Sequence, residues 1–83
     1  MPMNLKIISP EETVVDKTAD HVRLMMESGA VGVLPGHSPF AGNVAASKIR
    51  FSSSGADEEV YIKGGFAVVT PDSVTVLASA GNK

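Results

Sequence analysis

No cysteine occurs among the 83 residues, which excludes a disulfide framework and any thiolate metal site. The fold must stand on packing or on help from a partner, and a chain without cysteine suits a reducing compartment. Charge of a single sign is missing too: 7 lysines and arginines face 9 aspartates and glutamates, scattered along the chain, for a net charge of −2. With no basic stripe to neutralise phosphates, nucleic acid is not an expected partner. No apolar run approaches the ~20 residues that span a bilayer. Met1-Pro2-Met3-Asn4 also lacks the basic start and the following apolar stretch of a targeting signal. Direct membrane insertion is not expected.

Helical patterning is scarce as well. Only Asn43 to Lys48 offers a possible helical turn, too short for an amphipathic helix of about 10 residues or more. What is present is a hydrophobic share of 43%, close to the globular norm of ~45–50%. A chain of this size buries only about 60–65% of its unfolded surface, which leaves room for one thin core.

Short apolar runs alternate with turn signals about every 8–12 residues, the spacing of an all-β sandwich or barrel. Leu5 to Ile8 is followed by Ser9-Pro10-Glu11-Glu12, Thr13 to Val15 by Asp16-Lys17-Thr18, and His21 to Met26 by Glu27-Ser28-Gly29. Lys48-Ile49-Arg50-Phe51 alternates charged with apolar, so Ile49 and Phe51 share a buried face and Lys48 and Arg50 point to water. Ser52 to Asp57 reads as a polar hairpin connection to the returning strand Glu58 to Lys63. Gly64-Gly65 then suits a bulge or a close approach of two backbones. Phe66 to Val69 resumes the pattern, Pro71-Asp72 turns it, and Ser73 to Leu77 closes a hairpin with Val74 and Val76 on one face.

Groups for chemistry are sparse. His21 falls in a predicted strand and His37 in a loop, neither with an acidic residue at a ligand spacing, so zinc finds no recognisable site. His37 beside Ser38 suggests a nucleophile and its base, but the third, orienting member is absent. Asp57-Glu58-Glu59 lacks the spacing of a calcium loop and reads as a solvated run. For Met25-Met26 two readings stand: an adaptable contact surface, or one side chain in the core and one on the opposite face of a sheet.

The densest punctuation is Gly29 to Pro39, GAVGVLPGHSP, with three glycines, two prolines and His37. It reads as a stiff, mostly uncharged loop suited to docking. It is not a phosphate loop, for it lacks the Lys-Ser/Thr ending and no helix follows.

Three passages in order resemble one family, the N-terminal domain of the epsilon subunit of F-type ATP synthases. They are Leu5-Lys6-Ile7-Ile8-Ser9-Pro10-Glu11, Gly32-Val33-Leu34-Pro35-Gly36-His37-Ser38-Pro39, and Gly64-Gly65-Phe66 through Val74-Thr75-Val76-Leu77-Ala78. The resemblance implies an all-β fold, a flattened sandwich of two roughly five-stranded sheets, as a single domain over residues 1–83. It implies a non-catalytic subunit of the central rotor stalk that couples proton or sodium flow to ATP synthesis. The implied partners are the gamma subunit and the c-ring, with no cofactor. The implied place is the cytoplasmic face of a bacterial energy-transducing membrane, as a peripheral part of the synthase.

By position, Ser9 and His37 match family sites near gamma, with Ser38 and Phe40 beside His37, and Glu27, Ser28, Gly29, Ala30 and Val31 match the turn that meets the c-ring. Ala30 stands where family members often carry an acidic residue, a role Glu27 is placed to take, and Phe40 stands where a smaller aliphatic residue is usual. The sequence stops before the family's C-terminal helical hairpin, so neither hairpin-based inhibition nor ATP binding is expected of these residues. The competing expectation is a free-standing small-ligand-binding or hydrolytic β domain that uses His37 and Ser38.

Overall fold

The computed structural model describes residues 3–79 and 81–82, all of them strand, turn or irregular chain. Ten strands follow in order: β1 (Met3–Ile8), β2 (Thr13–Ala19), β3 (His21–Met26), β4 (Gly29–Val33), β5 (Phe40–Val44), β6 (Ser47–Ser53), β7 (Ala56–Ile62), β8 (Gly65–Thr70), β9 (Ser73–Ala78) and β10 (Gly81–Asn82). The all-β expectation holds. Hydrogen bonding runs along one path, β10-β7-β6-β3-β5-β8-β9-β1-β2, with β4 on the other side of β3. Five strands lie on either side of the β3–β5 junction, which is a single residue pair, Met26 with Val44. The sheet is therefore continuous but folded over at that junction into two leaves. Its overall extents of 29 × 25 × 17 Å give it the flattened shape.

Period-two patterning explains most of the strands. In β1 the residues Met3, Leu5 and Ile7 are buried while Asn4 and Lys6 are exposed, and in β3 Val22, Leu24 and Met26 alternate with His21, Arg23 and Met25. The inward rows of both leaves meet in one core around Leu5, Ile7, Leu24, Ile49, Phe51 and Ile62. Ile49 and Phe51 are buried opposite the exposed Lys48 and Arg50, as their alternation requires. Met26 joins the core and Met25 is 41% exposed, so the two methionines divide between the faces of β3.

Four local expectations are corrected. Gly29 to Val33 is strand β4, paired residue by residue with β3, so the stiff loop shrinks to Leu34–Pro39. Glycine discourages a strand only weakly when a neighbour supplies the ladder, and Val33 buries its side chain in the core. Asn43 to Lys48 holds no helical turn: β5 ends at Val44 and β6 starts at Ser47. Asp16-Lys17-Thr18 is not a turn but the middle of β2, held by pairing with β1, and the chain reverses at Asp20. The Ser52–Asp57 connection contracts to Ser54-Gly55, both with positive φ (52° and 81°), as a two-residue hairpin loop demands.

The Gly64-Gly65 expectation is met by close approach. A Cβ on Gly65 would overlap the Leu77 carbonyl oxygen and lie 2.9 Å from Ala78 Cα. Here the chain leaves β7 in one leaf and enters β8 in the other, tight against β9.

Candidate docking surface

The sequence stretch that suggested a single docking loop is spread over the length of the molecule. Along the ladder, Ile8 lies beside Leu77, Ala78 beside Gly65, Gly65 beside Val44 and Val44 beside Met26. Ser9 and the Glu27-Ser28 turn thus occupy one end of the strands. At the other end Asn4 lies beside Ser73, Val74 beside Val69 and Val69 beside Phe40. His37, Ser38 and Phe40 belong to that second end. Gly29, Ala30 and Val31 start at the Ser9 end and run back along β4.

Ser9 is buried and committed to its own turn. Its Oγ donates to the Glu12 carbonyl (3.1 Å), and the Ser9 and Glu12 amides bond back across the same turn. Proline at position 10 and this hydroxyl together fix the β1–β2 connection. Glu27, Ser28, Gly29 and Ala30 are exposed at the β3–β4 turn, whereas Val31 is half-buried against the core.

At the far end, Leu34 to His37 is a type II turn, with Pro35 second, Gly36 third (φ 86°) and His37 N–H donating to Leu34 O at 3.1 Å. Gly36 N–H also donates to Pro71 O at 2.7 Å, which anchors the turn to the β8–β9 hairpin. The His37 ring packs edge-on to Phe40, with centroids 5.2 Å apart. Its Nδ1 lies 2.8 Å from the Ser38 carbonyl oxygen. A carbonyl only accepts, so Nδ1 carries the proton. The ring therefore binds the Ser38 main chain rather than its hydroxyl. An open hollow of 690 Å³ lies over β3, β4, β6 and β7; of the Leu34–Pro39 loop it touches Leu34, and neither His37 nor Ser38 lines it. The hydrolytic reading needed a pocket at His37 and Ser38, and the hollow does not supply it.

One feature escaped sequence reasoning. Phe66 (42% exposed), Val68 (40%) and Leu77 (51%) project from the outer face of the second leaf. The ladder places Leu77 between Ile8 and Phe66, and Ala41 beside Val68, so these side chains form one apolar patch. The signal was legible: β8 carries apolar residues in both phases and β9 adds Leu77 outside, with Ala67, Val69, Val74 and Val76 already filling the core. A two-phase apolar strand has a second face to cover. Among the described residues, no three histidine, aspartate or glutamate side chains gather where they would hold a metal ion. Among the described residues, no helix is long and apolar enough to cross a membrane.

Fold and surface together define a flat all-β module with a fixed loop, an exposed turn and an apolar outer face. The family model of the ATP synthase delta/epsilon chain, beta-sandwich domain, matches residues 2–82, and the chain belongs to that family. The ATP synthase epsilon chains of Bacillus thuringiensis (strain Al Hakam) and Bacillus cytotoxicus are each 37% identical to it over 79 residues, 95% of this chain. The chain spans 59% of the length of those relatives. Its fold matches a chain of the Euglena gracilis mitochondrial ATP synthase, solved as OSCP/F1/c-ring, with a TM-score of 0.90 and 20% identity. That match covers 98% of this chain and 52% of the other. A chain of the Tetrahymena thermophila mitochondrial ATP synthase central stalk and c-ring matches with a TM-score of 0.82 and 6% identity, covering 100% of this chain and 67% of the other.

Proposed function

We propose that this domain is a non-catalytic coupling element of the central stalk of a rotary ATP synthase, binding the gamma subunit and the c-ring. The observation that carries the reading is the 37% identity, over 95% of the chain, to proteins called ATP synthase epsilon chain. The two fold neighbours come from assemblies that include a c-ring, which supports the same role. The domain sits as a peripheral part of the membrane-bound synthase, on its cytoplasmic face in a bacterium.

In this reading each contact has its own surface. The exposed Glu27–Ala30 turn faces the c-ring. The patch of Ile8, Phe66, Val68, Leu77 and Ala41 on the outer face of the second leaf meets gamma, with Ser9 and His37 at opposite ends of the strands. A folded sheet with a close-packed core resists deformation, and torque transmission needs that stiffness. The test is assembly: the purified domain co-elutes with its cognate gamma subunit and restores coupled synthesis to epsilon-depleted enzyme. Failure of both overturns the proposal.

A further inference from the structure

Glu27 N–H donates to Asn43 O (3.1 Å) and Ala45 N–H donates to Met25 O (2.8 Å), so the odd-numbered residues of β3 turn their main-chain groups toward β5 and β6. Across the β3–β4 ladder, Ala30 stands opposite Met25 and Gly32 opposite Arg23. In an antiparallel pair these positions then turn their own N–H and C=O groups away from β3, to the outside of the sheet. Among the described residues β4 pairs with β3 alone. The outer edge of β4 is a free hydrogen-bonding edge.

Sheet edges are usually blunted by charge, proline or a bulge. The edge at β2 follows that rule, with Asp16 and Lys17 in mid-strand and Lys17 tied to Glu58 of β7. Gly29–Val33 has none of these devices: its five residues are uncharged and in regular register with β3. A Cβ added at Gly32 would meet nothing within 4 Å, so this stretch of edge is also open above the sheet.

Charge says what belongs there. Arg23 lies between Gly32 on β4 and Arg50 on β6, all three lining the hollow, whose carboxylates, Asp57, Glu58 and Glu59, stand two strands away on β7. Glu59 takes Arg50 (3.3 Å), and also Lys48, whereas Arg23 has no carboxylate within 4.0 Å among the described residues. Like charges directly opposite on neighbouring strands repel. An incoming strand that placed an acidic side chain over Gly32, where no side chain intervenes, would reach the Arg23 guanidinium.

We infer that the β4 edge accepts an extended, acidic segment of a partner protein as an added strand, held by the main-chain groups of Ala30 and Gly32 and by a carboxylate on Arg23. A second copy of this chain fits less well. Antiparallel β4–β4 pairing about Val31 sets Ala30 against Gly32 and leaves both Arg23 side chains unneutralised. The proposed site shares Ala30 with the turn assigned to the c-ring and goes beyond the rotor reading through Gly32 and Arg23, which are not among the residues assigned to gamma or the c-ring.

The probe is a fluorescein-labelled, end-blocked peptide Thr-Val-Glu-Val-Thr, compared with the same peptide carrying Lys in place of Glu. Binding is followed by anisotropy and by amide hydrogen exchange on the folded domain. The expected result is new protection at Ala30 and Gly32 and roughly three- to fivefold tighter binding of the Glu peptide, the scale of an exposed ion pair. Arg23→Gln erases the preference between peptides and leaves the thermal midpoint unchanged. Gly32→Pro, which removes an outward N–H at an edge position that tolerates proline, abolishes binding of both peptides. Equal affinity for the two peptides, or no protection at Ala30 and Gly32 at saturation, overturns the inference. Protection of those amides that rises with protein concentration alone assigns the edge to a second copy and overturns it too.

Discussion

The ammonium group of Lys17 on β2 lies 2.8 Å from both carboxylate oxygens of Glu58 on β7, tying the outermost strand of one leaf to the other leaf. The two leaves share only one ladder pair at their hinge side, Met26 with Val44, so this ion pair fastens the side where no ladder runs. Both side chains are about two-fifths exposed, which keeps water and salt in competition for them. Lys17→Met or Glu58→Gln is expected to cost under about 1 kcal/mol. A double-mutant cycle in urea at low salt measures the coupling, which fades in ~1 M salt; a coupling that survives high salt would contradict this account.

Phe51 is the largest fully buried side chain, on β6 in the core shared by both leaves. Phe51→Ala is expected to remove about 3–5 kcal/mol. That is a large part of the 5–15 kcal/mol typical of a domain, so the variant should be partly unfolded at moderate temperature by circular dichroism.

Gly65 and Gly32 make a contrasting pair. At Gly65 a methyl group collides with the main chain of Leu77 and Ala78, which cannot swing aside, and Gly65→Ala should lose about 1–3 kcal/mol. At Gly32 the same change meets open space, and stability should move by less than about 0.5 kcal/mol. Matched urea titrations decide it, and equal effects at the two sites would refute the close approach.

Ser54 holds a φ of 52° at the first loop position of the β6–β7 hairpin, a conformation that asparagine or glycine adopts more readily. Ser54→Asn should stabilise by about 0.5–1 kcal/mol, raising the melting midpoint by several degrees. No rise in calorimetry would show that the turn is not strained.

His37 and Ala30 lie at the surface, one half-buried and one exposed, and neither fills the core. His37→Glu and Ala30→Lys should weaken assembly with gamma and with the c-ring respectively, each measured by pull-down, while the melting midpoint of the isolated domain changes little. Unchanged assembly would remove these residues from the interface.

Much of the fold was legible because strand burial repeats every second residue. Ile49 and Phe51, and likewise Val74 and Val76, declared a shared face without any knowledge of their neighbours. The Pro71-Asp72 turn and the Gly64-Gly65 approach were legible for a similar reason, since proline and glycine act within their own few bonds. Where the reading failed, the missing information was non-local. Gly29–Val33 looks like loop until β3 offers it a ladder, and Asp16 to Thr18 look like a turn until β1 does.

Residue order alone thus settled the all-β class, the inward rows, the scarcity of catalytic groups and, through three collinear motifs, the family. Only the folded chain decided which side chains share a surface. It drew Ser9 and His37 to opposite ends, gathered Ile8, Phe66, Val68 and Leu77 into one patch, and left Arg23, beside the edge at Gly32, without a carboxylate partner among the described residues. The reason is physical: the period of a strand is written in its own residues, whereas register, strand order and the hinge at Met26 and Val44 arise from pairings between segments far apart in the chain.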